Sequence, residues 1–109
     1  MIHNMNLRPA PFEAIASNTK KIEMRLYDEK RQTINLGDSI IFKNQETTQT
    51  CTKKVVGLHI YENFEGLYKL FDKTLLGYEK DQPAHYTDML DYYPQEEIDK
   101  YGVVGIELE

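Results

Sequence analysis

The stretch KKIEMRLY, residues 20–27, decides the fold. Ile22, Met24 and Leu26 fall on one side of an extended chain, and Lys21, Glu23, Arg25 and Tyr27 on the other. Successive strand side chains point to opposite faces, so this alternation predicts a β-strand with one buried face. The same stretch holds the most unusual charge cluster of the chain. Glu23 and Arg25 are neighbours on one face, and Lys20 stands at the mouth of the strand. A carboxylate set between cations has its charged form favoured. A lysine beside another cation in a partly buried site is a candidate base. The alternative is a solvated strand face with cross-strand ion pairs, a pattern common on half-exposed strands.

Upstream, Ile2 to Leu7 alternates loosely and reads as a short strand. Pro9 to Ser17 reads as a helix, because its prolines fall in the first turn, where a missing N–H costs nothing, and Phe12, Ile15 and Ala16 share a face. Asn18 follows, and Asn tolerates the left-handed conformation that often ends a helix. Downstream, DEKRQTIN (28–35) is a polar loop and Leu36-Gly37-Asp38 a turn, followed by a strand from Ser39 to Lys43. Residues 45–52 read as a hairpin loop with some strand continuing into it. Lys53 to Tyr61 is a further strand, whose broken alternation predicts cover on both faces or a bulge at Gly57.

Phe64, Leu67, Tyr68 and Phe71 predict an amphipathic helix capped by Asn63. Residues 77–83 form a loop. Tyr86, Met89, Leu90 and Tyr93 repeat the helical spacing and predict another helix, ended by Pro94. Gln95 to Lys100 adds a helical turn with Glu96 and Glu97 near its N-terminus, and Gly102 to Leu108 is a closing strand. About five strands with short inserted helices predict an α+β fold on a small curved sheet or β-barrel, not a parallel βαβ sheet. There is no Gly-rich turn of either nucleotide-binding type.

A chain of 109 residues fits one domain over 1–109. Its 40% apolar and 28% charged residues are an ordinary globular balance. The net charge of −5 is unevenly spread: residues 1–56 carry nine Lys/Arg against six Asp/Glu, and residues 57–109 four against twelve. That balance makes the chain a poor candidate for coating long nucleic acid by charge alone, whereas it leaves room for a local basic pocket. The single Cys51 makes no internal disulfide, and His3, His59 and His85 form no metal-binding pattern, so neither metal nor cofactor is expected. No apolar run reaches membrane-spanning or signal length, and the expectation is a reduced, cytoplasmic protein without a membrane partner, with a monomer favoured.

Other candidate groups carry two readings each. Asp28-Glu29-Lys30-Arg31 is a solvated turn, or its Lys30 and Arg31 extend a basic rim with Lys20, Lys21 and Arg25. His59 reads first as a satisfied strand histidine. Tyr86, Tyr92, Tyr93 and Tyr101 read as helix packing, or as a platform on which a base stacks. A nucleophilic Cys51 would need a histidine that the sequence does not place beside it.

Three segments resemble the ASCH domain family: Pro11-Phe12-Glu13-Ala14-Ile15, Ser17 through Arg25, and Ile34-Asn35-Leu36-Gly37-Asp38-Ser39-Ile40-Ile41-Phe42. The similarity continues through Val55-Val56-Gly57-Leu58, Phe64-Glu65-Gly66-Leu67 and Tyr101 to Glu107. The resemblance, to the small single-domain bacterial type, implies a PUA-like β-barrel with helices packed around it. The family hallmark is G-x-K-x-x-E-x-R followed by a G-D turn. The resemblance makes Lys20, Glu23 and Arg25 its lysine, carboxylate and arginine, with Asn18 in place of the glycine. Lys20 is an odd number of residues from Glu23, so the motif requires Lys20 to precede the regular strand or a bulge to re-aim it.

The resemblance further implies an RNA-linked role. One bacterial branch hydrolyses the acetyl group from 4-acetylcytidine with a lysine matching Lys20, a threonine and a later glutamate. The threonine falls where this chain has Glu23, and the glutamate near Glu79. A related small member is a ribonuclease. The leading expectation is therefore a pocket for RNA, a nucleotide or a modified nucleoside, with hydrolysis as its possible chemistry. Lys20, Glu23 and Arg25 are its candidate catalytic residues, and Lys21, Tyr27, Lys30, Arg31 and Glu79 its substrate-binding residues. A non-catalytic RNA-binding module stands second, and a protein adaptor using the tyrosine-rich acidic segment 85–99 third.

Overall fold

The computed structural model describes residues 1–109. Its strands are β1 (Ile2–Leu7), β2 (Ile22–Leu26), β3 (Ser39–Asn44), β4 (Thr50–Tyr61) and β5 (Val103–Leu108). Its helices are α1 (Pro9–Ala16), α2 (Phe64–Leu70) and α3 (Gln95–Tyr101), with 3₁₀ turns at Arg31–Thr33 and Tyr86–Asp91. The strands form one curled sheet in the order β1-β3-β4-β5-β2. Only β1 and β3 run parallel, with Met5 opposite Phe42, which the long crossover through α1 and β2 permits. The result is an α+β fold of PUA-like form: a half-barrel of five strands with short helices around it. No helix is long and apolar enough to cross a membrane.

Two cores lie on opposite faces of this sheet. Alternate residues of β5 divide between them: Val104, Ile106 and Leu108 go to one, Val103 to the other. In the first, Phe12 and Ile15 of α1 pack against Met5, Phe42 and Val55. In the second, Phe64 and Leu67 of α2, Met89 and Ile98 cover Ile22, Met24 and Leu26. Gly105 makes the second contact close, since a Cβ there would lie 2.7 Å from Leu67 Cδ2.

The structure amends the sequence reading in three places and bears it out in others. β2 is covered on both faces, with Glu23 itself only 4% exposed. The alternation described the apolar side correctly; the polar side is buried because its charges pair with one another. β4 begins at Thr50 rather than Lys53, since Thr50, Cys51 and Thr52 pair with β3 despite their polarity. Its broken alternation reflects the expected bulge at Gly57, seen as a register shift between Val55 and Gly57 against β5. Tyr86–Asp91 is 3₁₀ rather than α-helical, a distinction that i, i+3, i+4 spacing does not make. Asn63 caps α2 as expected, accepting from Glu65 N at 3.0 Å.

Candidate functional site

The end of α1 places Lys20. Asn18 takes the left-handed conformation at φ 67°, which turns the chain so that Ala14 O accepts from both Thr19 N (3.0 Å) and Lys20 N (2.9 Å). Lys20 therefore belongs to the turn and not to β2, and strand parity does not govern where it points. Lys21 N and Ile22 N then both donate to Leu75 O at 3.0 Å, which starts the strand against segment 72–78. Gly77 of that segment, at φ 108°, lies against the Lys20 stem, where a Cβ would sit 3.0 Å from Lys20 Cδ.

Three charges meet at Glu23. Lys20 Nζ stands 2.9 Å from Oε1, and Arg25 Nε donates to Oε2 at 2.7 Å. Arg25 Nη2 also donates to Asn6 O at 3.1 Å, so its guanidinium bridges the two outermost strands, β2 and β1. Burial alone would push the Glu23 carboxyl up, but Lys20 and Arg25 outweigh it and hold the group below its ordinary range. Burial works against the charge of Arg25 too, and Glu23 overturns it in the same way. Glu23 is thus a fixed anion that positions two cations, both of which keep N–H donors to spare.

These residues form the floor of a groove of about 960 Å³. Tyrosines and an aspartate wall it. Tyr78 OH donates to Asp88 Oδ2 at 2.7 Å and shares a 2.7 Å hydrogen bond with Tyr68 OH. Burial raises the phenols of Tyr68, Tyr78 and Tyr93 above their ordinary range, so these are neutral hydroxyls. Tyr93 stacks on Phe64 with ring centroids 6.1 Å apart, and the Arg8 guanidinium lies 5.2 Å over the ring of Tyr92. The charged residues that line the groove balance, four basic against four acidic. The second half of the chain supplies most of the acids.

Of the residues singled out in the sequence, Lys20, Glu23, Arg25 and Glu79 line this groove, and Lys21, Tyr27, Lys30 and Arg31 do not. Lys21 Nζ donates to Glu109 O at 2.9 Å. Tyr27 packs against the first core, and Lys30 is exposed. Arg31 is folded back on Asp28, with Nη1 2.9 Å from Oδ2. His59 is paired with Glu107 at 2.8 Å and edge-on to Phe71, and Cys51 packs against the first core. Tyr92 and Tyr93 line the groove, whereas Tyr86 lines a neighbouring cavity and Tyr101 packs on the second core. Sequence reasoning missed Arg8, Tyr68, Tyr78 and Asp88. They come from separate segments joined only by the fold, and no local spacing marks them.

A family model described as ASCH domain matches residues 5–109. The crystal structure of a hypothetical protein, PH0355, is similar over 100% of this chain and 98% of its own, with a TM-score of 0.79 and 34% identity. The solution structure of PF0455 from Pyrococcus furiosus is 31% identical with a TM-score of 0.73, over 100% of this chain and 96% of its own. The crystal structure of ASCH from Zymomonas mobilis has a TM-score of 0.69 at 14% identity, over 99% of this chain and 66% of its own, a likeness of fold. No curated protein matches the chain.

Proposed function

Since the chain belongs to the ASCH domain family, we propose that its groove binds a nucleoside unit, free and modified or within RNA, on a floor of Lys20, Glu23 and Arg25. The observation that carries this reading is the buried three-charge cluster, with both Glu23 oxygens engaged at 2.9 and 2.7 Å. Such a cluster holds an ammonium and a guanidinium in place before a ligand arrives, so little order has to be imposed on binding. Their remaining N–H groups suit the carbonyl oxygen of a pyrimidine or a phosphate oxygen. Tyr92 and Tyr93 line the groove beside the place proposed for the base. The balanced charge of the lining favours a largely neutral ligand held by one or two anchoring contacts over a long polyanion.

One observation favours hydrolysis at the same place. Glu79 lines the groove and, like Asp91 and unlike Glu23, makes no ion pair, so its carboxylate is open to accept a proton from a water. On a nucleobase carrying an acetyl amide, Lys20 polarises the carbonyl oxygen and Glu79 takes a proton from the attacking water. The new C–O bond forms as the C–N bond breaks, the exocyclic nitrogen receives the proton, and acetate leaves.

The test is titration of cytidine, 4-acetylcytidine and short labelled RNA into the protein and its Lys20→Ala variant, with products followed by chromatography. Lys20→Ala is expected to weaken binding about tenfold to hundredfold, the worth of a hydrogen bond to a charged group. Equal affinity for both proteins removes the binding reading. Equal background turnover removes the hydrolytic one.

A further inference from the structure

The groove has a neighbour. A second cavity of about 710 Å³ shares with it the wall residues Tyr68, Thr74 and Lys80. Its charges differ from those of the groove: Lys73 and Lys80 face one carboxylate, Asp72. Asp72 is already occupied, with Oδ1 accepting from Thr74 N at 3.0 Å and Thr74 Oγ1 at 2.8 Å. Lys73 Nζ is tied to Gln82 O at 2.6 Å, while Lys80, on the wall between the two spaces, is exposed and makes no ion pair. The lining also holds a stacked aromatic pair absent from the groove, His85 on Tyr86, with ring centroids 4.5 Å apart and planes 27° from parallel.

We infer that this cavity is a second base site, so that the protein takes two consecutive nucleotides and its ligand is an oligonucleotide rather than a lone nucleoside. The first base sits in the groove, the linking phosphate meets Lys80 at the partition, and the second base stacks against the His85–Tyr86 pair. This rests on the reading of the groove given above. It goes further in assigning Lys80 to the phosphodiester and the His85–Tyr86 pair to a second base.

The experiment compares ribodinucleoside monophosphates with the matching nucleosides, for the whole chain and two variants. His85→Asn removes the ring but keeps a side-chain oxygen to accept from Thr87 N, as His85 Nδ1 does at 3.2 Å, so the 3₁₀ turn retains its cap. Lys80→Gln removes an exposed charge with no structural partner. Dinucleotides are expected to bind the unaltered protein about fivefold or more tighter than nucleosides, a modest stacking gain. His85→Asn should abolish that advantage and leave nucleoside affinity unchanged. Lys80→Gln should lower the slope of log affinity against log salt by about 0.7 for the dinucleotide alone. Nucleosides and dinucleotides binding equally well would overturn the second site and leave the groove reading intact. Failure of both ligands to bind would overturn both.

Discussion

Replacing Glu23 by Gln keeps the shape of the side chain and removes the charge that holds Lys20 and Arg25. In the structure Glu23 is 4% exposed, and its partners' side chains are 11% and 15% exposed. Removing one member of a buried ionic cluster costs about 3–5 kcal/mol, because the charges left behind lose their compensation. At about 3 kcal/mol the melting temperature of a domain this size should fall by about 12–18 °C. The effect must also depend on pH in a stated direction. The folded-state carboxyl of Glu23 titrates below its ordinary 4.5. Its stabilisation is therefore fully present above that value and lost as pH falls through the depressed one. Urea unfolding followed by far-UV circular dichroism at pH 7 and at pH 3 reads both quantities. The gap between the proteins should be largest at pH 7 and should narrow as pH falls below the ordinary carboxyl value, where the unfolded chain takes up a proton that the folded Glu23 resists. A loss below about 1 kcal/mol at pH 7, or a gap that stays constant with pH, would refute a charged, structure-bearing Glu23.

Three further outcomes are expected. Asn18→Ala puts a Cβ-bearing side chain without a local hydrogen-bonding group at φ 67° and should cost about 1–2 kcal/mol in urea unfolding, with Asn18→Gly costing less. Gly77→Ala, at φ 108° and with its Cβ 3.0 Å from Lys20 Cδ, should destabilise by more than about 1 kcal/mol and weaken nucleoside binding by displacing Lys20; unchanged affinity in a titration would argue against that placement. Asp38, held at about 2 against an ordinary 3.8 by His3 and the Asn35 amide, supplies stability that is present above about pH 4 and lost as pH falls toward 2; Asp38→Asn should flatten that part of an acid titration followed by circular dichroism.

Much of the fold was legible because apolar spacing reports burial directly. Ile22, Met24 and Leu26 share a face in the structure as they do in the alternation, and Asn63 and Asn18 act at the helix ends where their chemistry suits them. Spacing says less about polar residues. Glu23 and Arg25 read as an exposed strand face, yet they are covered because Lys20, Arg25 and the Asn6 carbonyl satisfy them, and those partners come from a turn and a distant strand. The tyrosine–aspartate wall shows the same limit more sharply. Tyr68, Tyr78 and Asp88 lie in α2, a loop and a 3₁₀ turn, and only the packing of those segments over β2 brings their oxygens within 2.7 Å. The groove's even balance of charge is also a product of folding, since acidic residues of the second half fold over basic residues of the first.

The contact of Arg25 with Asn6 O has a consequence for the life of the protein in crowded solution. An open sheet ends in two strands whose unpaired backbone groups can recruit a strand from another molecule, and proteins guard such edges with charge or cover. Here β1 and β2 are those strands, and Arg25 spends a guanidinium N–H on a carbonyl of β1 while its charge and that of Glu23 mark β2. The residue proposed to anchor a ligand is therefore also a guard against self-association. Loss of Arg25 would surface as insoluble protein as well as lost binding, and selection for solubility alone would tend to keep the floor of the groove in place.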